Sequence, residues 1–113
     1  MKKQLSKSLI ERFSRQIILK NIGILGQKKI LLSKVLIVGV GGLGSPAAEF
    51  LVRSGIGKVG IIDYDKVSLS NLHRQSLYET SHVGKSKVQV IKKILNRINP
   101  NTCLLYTSDA ADE

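Results

Sequence analysis

Apolar residues change their spacing along this chain, and the spacing predicts alternating helices and strands. Apolar positions three to four residues apart indicate helices, whereas short continuous apolar runs indicate buried parallel strands. The predicted helices cover residues 7–19, 22–32, 45–53 and 84–98. The predicted strands cover residues 35–38 and 58–62, and a polar, irregular segment covers 66–82. The pattern therefore predicts a Rossmann-like, doubly wound parallel α/β sheet, truncated after the first β-α-β unit and the helix that follows it.

A glycine-rich turn follows the first predicted strand. Its glycines are Gly39, Gly41, Gly42 and Gly44, and Ser45-Pro46 then begins the next predicted helix. Glycines permit a tight turn and let the backbone approach a phosphate, while a helix N-terminus attracts anions. This Gly-x-Gly-x-x-Gly spacing between a strand and a helix predicts a nucleotide site, of a kind that NAD, FAD and ATP share.

Two acidic residues stand at the end of the second predicted strand. Asp63 lies 19 residues beyond Gly44, where an acid can accept hydrogen bonds from the ribose of a bound nucleotide. We therefore interpret Asp63 as a ribose contact. Asp65 is either a structural residue at the strand end or one of a magnesium-binding pair, and its spacing supports both interpretations.

A polar loop follows at residues 70–75. Its residues are Ser70, Asn71, Leu72, His73, Arg74 and Gln75. Arg74 can bind phosphate oxygens through two parallel hydrogen bonds, and Asn71 can donate a neutral one. Redox dinucleotide sites do not usually need so many donors, whereas a triphosphate that loses pyrophosphate does. The loop therefore favours ATP, and His73, which has no partner cluster, is interpreted as a spacer.

Lys85 and Lys87 stand at the N-terminal turn of the last predicted helix. Lysines there oppose the helix dipole, so a bound phosphate is expected to offset the cost. Lys87 is the better candidate, and the alternative is an exposed lysine in a lysine-rich chain.

Arg12 and Arg15 lie in the first predicted helix, and the residues alone indicate a solvated face for both.

Composition narrows the class of protein. With 113 residues the chain forms one small domain at most. Its net charge of +10 indicates either acidic partners, such as nucleotide phosphates, or only a lysine-rich coding bias on solvated faces. The charges are scattered and aromatic residues are few, so nucleic-acid binding is not expected. Neither a membrane span nor a signal peptide is recognised, which predicts a cytoplasmic protein. The one cysteine, Cys103, argues against a disulfide framework and a metal cluster.

The last eleven residues, CLLYTSDAADE at 103–113, resemble a translated sequencing-library adapter. We set this tail aside as non-native. Residues 1–33 are then the N-terminal helices, and residues 34–102 are the nucleotide-binding part. A doubly wound sheet should continue with a third strand where the tail stands, so we expect the chain to be the N-terminal piece of a longer protein. Two strands with open edges bury too little surface to be stable alone.

Seven segments of the chain combine into a specific pattern. They are RFSRQIIL (12–19), GQKK (26–29), VLIVGVGGLGSP (35–46), SGIG (54–57), DYDKVSLSNLHRQ (63–75), VGKSK (83–87) and INP (98–100). Together they resemble the ThiF/MoeB/HesA family, the bacterial relatives of ubiquitin-activating enzymes, over residues 8–101. The resemblance implies an adenylyltransferase that uses ATP and magnesium to activate the C-terminal glycine of a ubiquitin-like sulfur-carrier protein and releases pyrophosphate.

The resemblance also implies roles for individual residues. Gly42 would approach the nucleotide phosphates, Asp63 would hold the ribose, and Lys87 would line the triphosphate with the loop from Ser70 to Arg74. Arg15 would reach the ATP of the other subunit of a homodimer, which replaces the solvated face inferred from the residues alone. The catalytic residues implied in this way are Arg15, Arg74 and Lys87. The implied ATP-binding residues are Gly39, Gly41, Gly42, Gly44, Asp63, Asp65, Ser70, Asn71, Leu72, His73, Arg74 and Lys87.

Several parts of the family pattern are expected beyond residue 102. They are a second aspartate that helps hold magnesium and ATP, any zinc-binding cysteine pairs, and the sulfur-handling cysteine. No metal ligand is assigned within the chain, which is expected to be inactive although the full-length protein is an enzyme. The segments RQIIL and GLGSP favour the sulfur-carrier branch, in molybdopterin or thiamine-thiazole biosynthesis, over the related tRNA-modifying dehydratases. The alternative function is an NAD(P)-binding oxidoreductase domain, which the donor loop disfavours.

Overall fold

A computed structural model of the protein describes residues 5–107 as helices around a three-stranded parallel sheet. The helices are α1 (Lys7–Arg12), α2 (Ser14–Ile17), α3 (Gly23–Leu32), α4 (Gly44–Ser54) and α5 (Lys87–Ile98). The strands are β1 (Lys34–Val38), β2 (Lys58–Ile62) and β3 (Cys103–Thr107), in that order across the sheet. Single turns of 3₁₀-helix lie at Leu69–Asn71 and Thr80–His82. Parallel strands joined through α4 and α5 confirm the predicted Rossmann-like α/β class.

The core lies between the sheet and a layer formed by α4 and α5. Side chains alternate between the two faces of a strand, and in β2 the inward ones are Val59 and Ile61, both almost fully buried. The helices contribute Ala48, Val52, Val88, Ile91 and Leu95 to the same cluster. Burying one such aliphatic side chain stabilises the fold by about 1.5–3 kcal/mol. On β1, Leu36 and Val38 point to the other face of the sheet and are exposed. The described helices therefore cover this sheet mainly from one side.

The third strand, β3, corrects the prediction of a two-stranded sheet. Residues 103–107, which the resemblance to a translated adapter assigned to a non-native tail, pair in parallel with β2 from Lys58↔Cys103 to Ile62↔Thr107. Strand pairing uses backbone groups that nearly any sequence supplies, and Leu104 adds a buried side chain to the core. The pairing is thus independent of where these residues come from. That residues 103–113 are non-native stays a prediction, and residues 108–113 lie outside the described part.

Two predicted helix boundaries are also wrong. The helix predicted over 7–19 is interrupted at Phe13, whose backbone (φ −107°, ψ 19°) departs from helical geometry and whose ring is buried next to Gly55. The last helix begins at Lys87 rather than residue 84, because the N–H of Lys85 donates to the carbonyl of His82 in the preceding turn. Lys85 therefore lies before the helix and is exposed. Burial of one side chain decided the first boundary, and a local turn decided the second.

A buried polar contact fastens α2 and α3 to the end of α4. Gln27 is fully buried, and its Nε2 donates to the carbonyl oxygen of Ser54 at 2.9 Å. The side chain of Gln16 donates to Gln27 Oε1 at 2.8 Å and to the same Ser54 carbonyl at 3.0 Å. The two glutamines thus satisfy each other and a helix-terminal carbonyl that has no partner within its own helix.

Replacing Gln27 with leucine should lower the free energy of unfolding by about 2 kcal/mol, because it removes the two hydrogen bonds that this buried side chain makes to Gln16 and to the Ser54 carbonyl. Urea denaturation followed by circular dichroism measures the change. Gln89→Leu is the matched control, since Gln89 is exposed on α5 and should shift stability by less than about 0.5 kcal/mol. Equal losses in the two variants would contradict this account of the contact.

Candidate nucleotide site

The glycine turn between β1 and α4 is held against the end of β2. Its first residue, Gly39, donates its N–H to the carbonyl of Ile62 at 2.7 Å. The next residue, Val40, is fully buried and is bound on both sides. Its N–H donates to Asp63 Oδ2 at 2.8 Å, and its carbonyl accepts from the hydroxyl of Tyr78 at 2.7 Å. The turn is therefore bound in place by two separate segments of chain, the end of β2 with Asp63 and the segment that carries Tyr78.

Asp63, the predicted ribose contact, organises two loops. One carboxylate oxygen accepts the N–H of Val40, and the other accepts the N–H of Asp65 at 2.7 Å. Its side chain is thus shared between the glycine turn and the chain that leaves β2. A carboxylate has about four lone-pair positions, so a ribose hydroxyl can still be accepted beside these two bonds. The ribose contact stays a prediction, while the positioning role is a contact in the structure.

The glycine turn presents a row of unpaired donors. Within residues 5–107, the N–H groups of Gly41, Gly42, Leu43 and Gly44 have no hydrogen-bond acceptor. The carbonyl of Gly41 is occupied instead by Ser45, whose Oγ donates to it at 2.6 Å. Helix α4 starts at Gly44, the last residue of this row, and no side chain caps it. Successive free N–H groups at a helix N-terminus form an anion-binding concavity.

Arg74 lies over this turn. A Cβ placed on Gly42 would lie only 2.7 Å from Arg74 Nη1, so the backbone and the guanidinium approach each other where glycine alone leaves space. The Nη2 of Arg74 donates to Asn71 Oδ1 at 3.3 Å, which holds the exposed side chain in this direction. The glycine turn and the polar loop, whose residues Gly42 and Arg74 are 32 positions apart in sequence, therefore meet as the spacing led us to expect.

Lys87 approaches the same turn from the start of α5. A Cβ placed on Gly41 would lie 3.9 Å from Lys87 Nζ and 3.5 Å from Gln75 Nε2. Lys87 is only 4% exposed, and in the described part of the chain its ammonium has neither an ion-pair nor a hydrogen-bond partner. The buried Oε1 of Gln75 also has no partner there. The Lys87 side chain is almost fully buried and has no counter-charge in the described chain, so this cluster is suited to an anion.

In the described part of the chain, the side chains of the other predicted site residues make no hydrogen bond or ion pair to the glycine turn. Leu72 packs against the core, Ser70 shares a hydrogen bond with Ser68 at 3.0 Å, and His73 is exposed. Asp65 contributes its backbone, since its carbonyl accepts the N–H of Lys87 at 3.1 Å. Arg15 is exposed on α2, and no hydrogen bond or ion pair in residues 5–107 joins it to the turn.

Sequence patterns missed three side chains that contact the glycine turn: those of Gln75, Tyr78 and Ser45. Gln75 was counted within the polar loop and not assigned to the site, and neither Tyr78 nor the side chain of Ser45 was considered. Burial raises the pKa of the Tyr78 hydroxyl well above its usual range, and the charge of Asp63 raises it further. The hydroxyl therefore remains a donor. An isolated tyrosine in a polar segment was the one available signal for this contact.

Two absences concern the described residues alone. Between residues 5 and 107, no three His, Cys, Asp or Glu side chains are grouped to hold a metal ion. No helix in that range has the length and apolar character required to cross a membrane.

The profile of the ThiF family matches residues 13–111. The chain belongs to the ThiF family. The adenylyltransferase and sulfurtransferase MOCS3 of Aedes aegypti is 50% identical over 96 residues, which are 85% of this chain and 22% of that protein. The chain spans about a fifth to a quarter of the length of the curated relatives it matches. The resemblance inferred from the seven sequence segments is thereby confirmed at the level of the family.

Solved structures show the same fold in nucleotide-bound proteins. The E. coli tRNA N6-threonylcarbamoyladenosine dehydratase TcdA in complex with ATP has a TM-score of 0.87 and 31% identity, over 95% of this chain and 43% of that one. E. coli MccB with AMPCPP and MccA has a TM-score of 0.78 and 34% identity, over 86% of this chain and 30% of that one. In both, a ThiF-like domain and an adenine nucleotide occur together.

Proposed function

We propose that this chain is the N-terminal, ATP-binding part of an adenylyltransferase that activates the C-terminal carboxylate of a ubiquitin-like sulfur-carrier protein. The observation that carries the proposal is the nearly buried Lys87 side chain, whose ammonium is unpaired within residues 5–107, beside a turn with four free N–H groups and the Arg74 guanidinium. A polyphosphate supplies the negative charge that this set of donors lacks. The ATP complex of the structural neighbour supports the choice of nucleotide.

The residues of this chain have clear tasks in such a reaction. The carrier carboxylate forms a bond to the α-phosphorus while the bridging bond to the β-phosphate breaks, and pyrophosphate leaves with the electron pair. The free N–H groups of 41–44 bind phosphate oxygens, and Arg74 binds them through two parallel hydrogen bonds. Lys87 adds a charge in a site of low dielectric, where it stabilises the developing negative charge more strongly than in water.

Other parts of the proposal concern the full-length protein. Arg15, exposed on α2, would act on the nucleotide of a second subunit in a homodimer. Magnesium would be held by an acid beyond residue 102, and zinc by cysteine pairs there. We place the protein in the cytoplasm and in molybdopterin or thiamine-thiazole biosynthesis. This chain is 50% identical to the adenylyltransferase and sulfurtransferase MOCS3 and 31% identical to the tRNA dehydratase TcdA. The difference supports the sulfur-carrier branch.

The deciding experiment uses the full-length protein with its sulfur carrier. We expect ATP–pyrophosphate exchange that depends on the carrier and on magnesium, and no quenching of nicotinamide fluorescence on addition of protein. Exchange without a carrier would contradict the proposed substrate. Quenching of NADH or NADPH fluorescence with no exchange would identify the oxidoreductase alternative and overturn the proposal.

A further inference from the structure

The direction of the glycine-turn N–H groups depends on where the carbonyls of the same peptide units are held. In a trans peptide the N–H and C=O are coplanar and point to opposite sides. The carbonyl of Val40 and the N–H of Gly41 belong to one such unit, and the carbonyl of Gly41 and the N–H of Gly42 to the next. Whatever binds the two carbonyls therefore aims the two donors.

Those two carbonyls are held by different side chains. Ser45 binds the carbonyl of Gly41 twice, through its Oγ at 2.6 Å and its backbone N–H at 3.1 Å. If α4 extended one turn further toward its N-terminus, the carbonyl of Val40 would accept the N–H of Gly44. Instead, this carbonyl accepts a hydrogen bond from the Tyr78 hydroxyl at 2.7 Å. No other donor in residues 5–107 reaches this carbonyl. The peptide between Val40 and Gly41 thus depends on Tyr78 alone.

We propose that Tyr78 is a positioning residue for nucleotide phosphate: its hydroxyl holds the Val40 carbonyl inward and so aims the N–H of Gly41 at the phosphate side of the turn. Without the hydroxyl, the flexible peptide before Gly41 can rotate and present its carbonyl oxygen, which repels an anion. Tyr78 itself is buried behind the turn and touches the ligand only through this peptide. The inference rests on the proposed function for the identity of the ligand.

Two features keep the hydroxyl in this role. Tyr78 is 4% exposed, so its ring occupies a packed position and its oxygen has little freedom to leave the carbonyl. Its neighbour Asp63 holds the other side of Val40 through the N–H at 2.8 Å, so the residue is clamped between the two side chains. The clamp is separate from Arg74 and Lys87, which approach the turn at Gly42 and Gly41.

Tyr78→Phe in the full-length protein tests the inference, because it removes one oxygen and keeps the ring. Binding of ATP and of adenosine is measured by calorimetry. We expect ATP binding to weaken by about tenfold, the equivalent of one lost hydrogen bond, and adenosine binding to change by less than about twofold because adenosine carries no phosphate. Equal losses for both ligands, or unchanged ATP binding, would overturn the inference.

Controls separate this effect from a loss of stability. Tyr64→Phe makes the same chemical change at a tyrosine that is 67% exposed, and it should leave both affinities unchanged. If Tyr78→Phe does not fold, 4-aminophenylalanine at position 78 retains a donor and should restore both folding and ATP binding; a folded variant with weak ATP binding would overturn the inference.

The outcome also distinguishes this inference from the proposed function. Wild-type protein that binds ATP without carrier-dependent exchange overturns the function and leaves the Tyr78 comparison valid. Wild-type protein that exchanges pyrophosphate normally, with Tyr78→Phe unaltered in ATP affinity, overturns the inference alone. Wild-type protein that does not bind ATP overturns both.

Discussion

Replacing Arg74 with alanine in the full-length protein is expected to lower ATP–pyrophosphate exchange by about 100-fold or more and to leave folding nearly unchanged. Arg74 is exposed, and its side-chain hydrogen bond to Asn71 at 3.3 Å contributes little to stability. Its guanidinium nevertheless lies against Gly42, where an anion bound to the free N–H groups would meet it. A preorganised cation at the reacting phosphates acts mainly on the transition state.

Two variants sharpen the Arg74 result. Arg53→Ala removes an arginine that pairs with Glu49 at 3.0 Å in the C-terminal half of α4, and exchange should remain within about twofold of wild type. Arg74→Lys keeps the charge but loses the paired hydrogen bonds, so it should recover a minor part of the rate. An exchange rate unchanged by Arg74→Ala would remove this residue from the site.

Gly44→Ala should produce the largest loss of stability among substitutions at the turn, about 3 kcal/mol or more. A Cβ at this position would lie 1.7 Å from the carbonyl oxygen of Gly39 and 2.8 Å from its carbon. Both atoms belong to the backbone, so the start of α4 would have to move away from the turn. Urea denaturation of the variant measures the loss, and reduced ATP affinity should accompany it.

Gly60→Ala is the matched control for Gly44→Ala. A Cβ on Gly60 would lie 3.2 Å from Leu36 Cδ1, the end of a side chain that can shift. This substitution should change the free energy of unfolding by less than about 1 kcal/mol. If the two glycine variants lost the same stability, close backbone contact at Gly44 would not be what holds the turn against α4.

The sequence predicted the framework of the site well, because its signals are local. Glycine spacing, the strand before it and the helix after it identified the turn, and the polar loop identified Arg74. Lys87 was chosen because it stands in the first turn of the helix predicted from residue 84, and in the structure the helix begins at Lys87 itself. Its near-complete burial was not predictable, since lysines are almost always exposed and nothing around residue 87 marks an exception.

Other features depended on contacts between distant residues. Tyr78 binds a residue 38 positions away, and neither neighbourhood carries a sign of the other. Phe13 ends α1 because its ring is buried next to Gly55, which a helical periodicity cannot show. The strand at 103–107 was set aside because it resembles a translated adapter, whereas backbone pairing with β2 depends little on which side chains the segment carries.

By itself the sequence determined the family, the parallel α/β class and the positions of the glycine turn and of Arg74, since each follows from residues near one another in the chain. Only the tertiary structure decided that Lys87 is buried without a counter-charge in the described chain and that Tyr78 and Asp63 clamp Val40. The physical reason is that burial and hydrogen-bond direction are properties of the packed chain. They exist once α5 and the segment before it close over the turn.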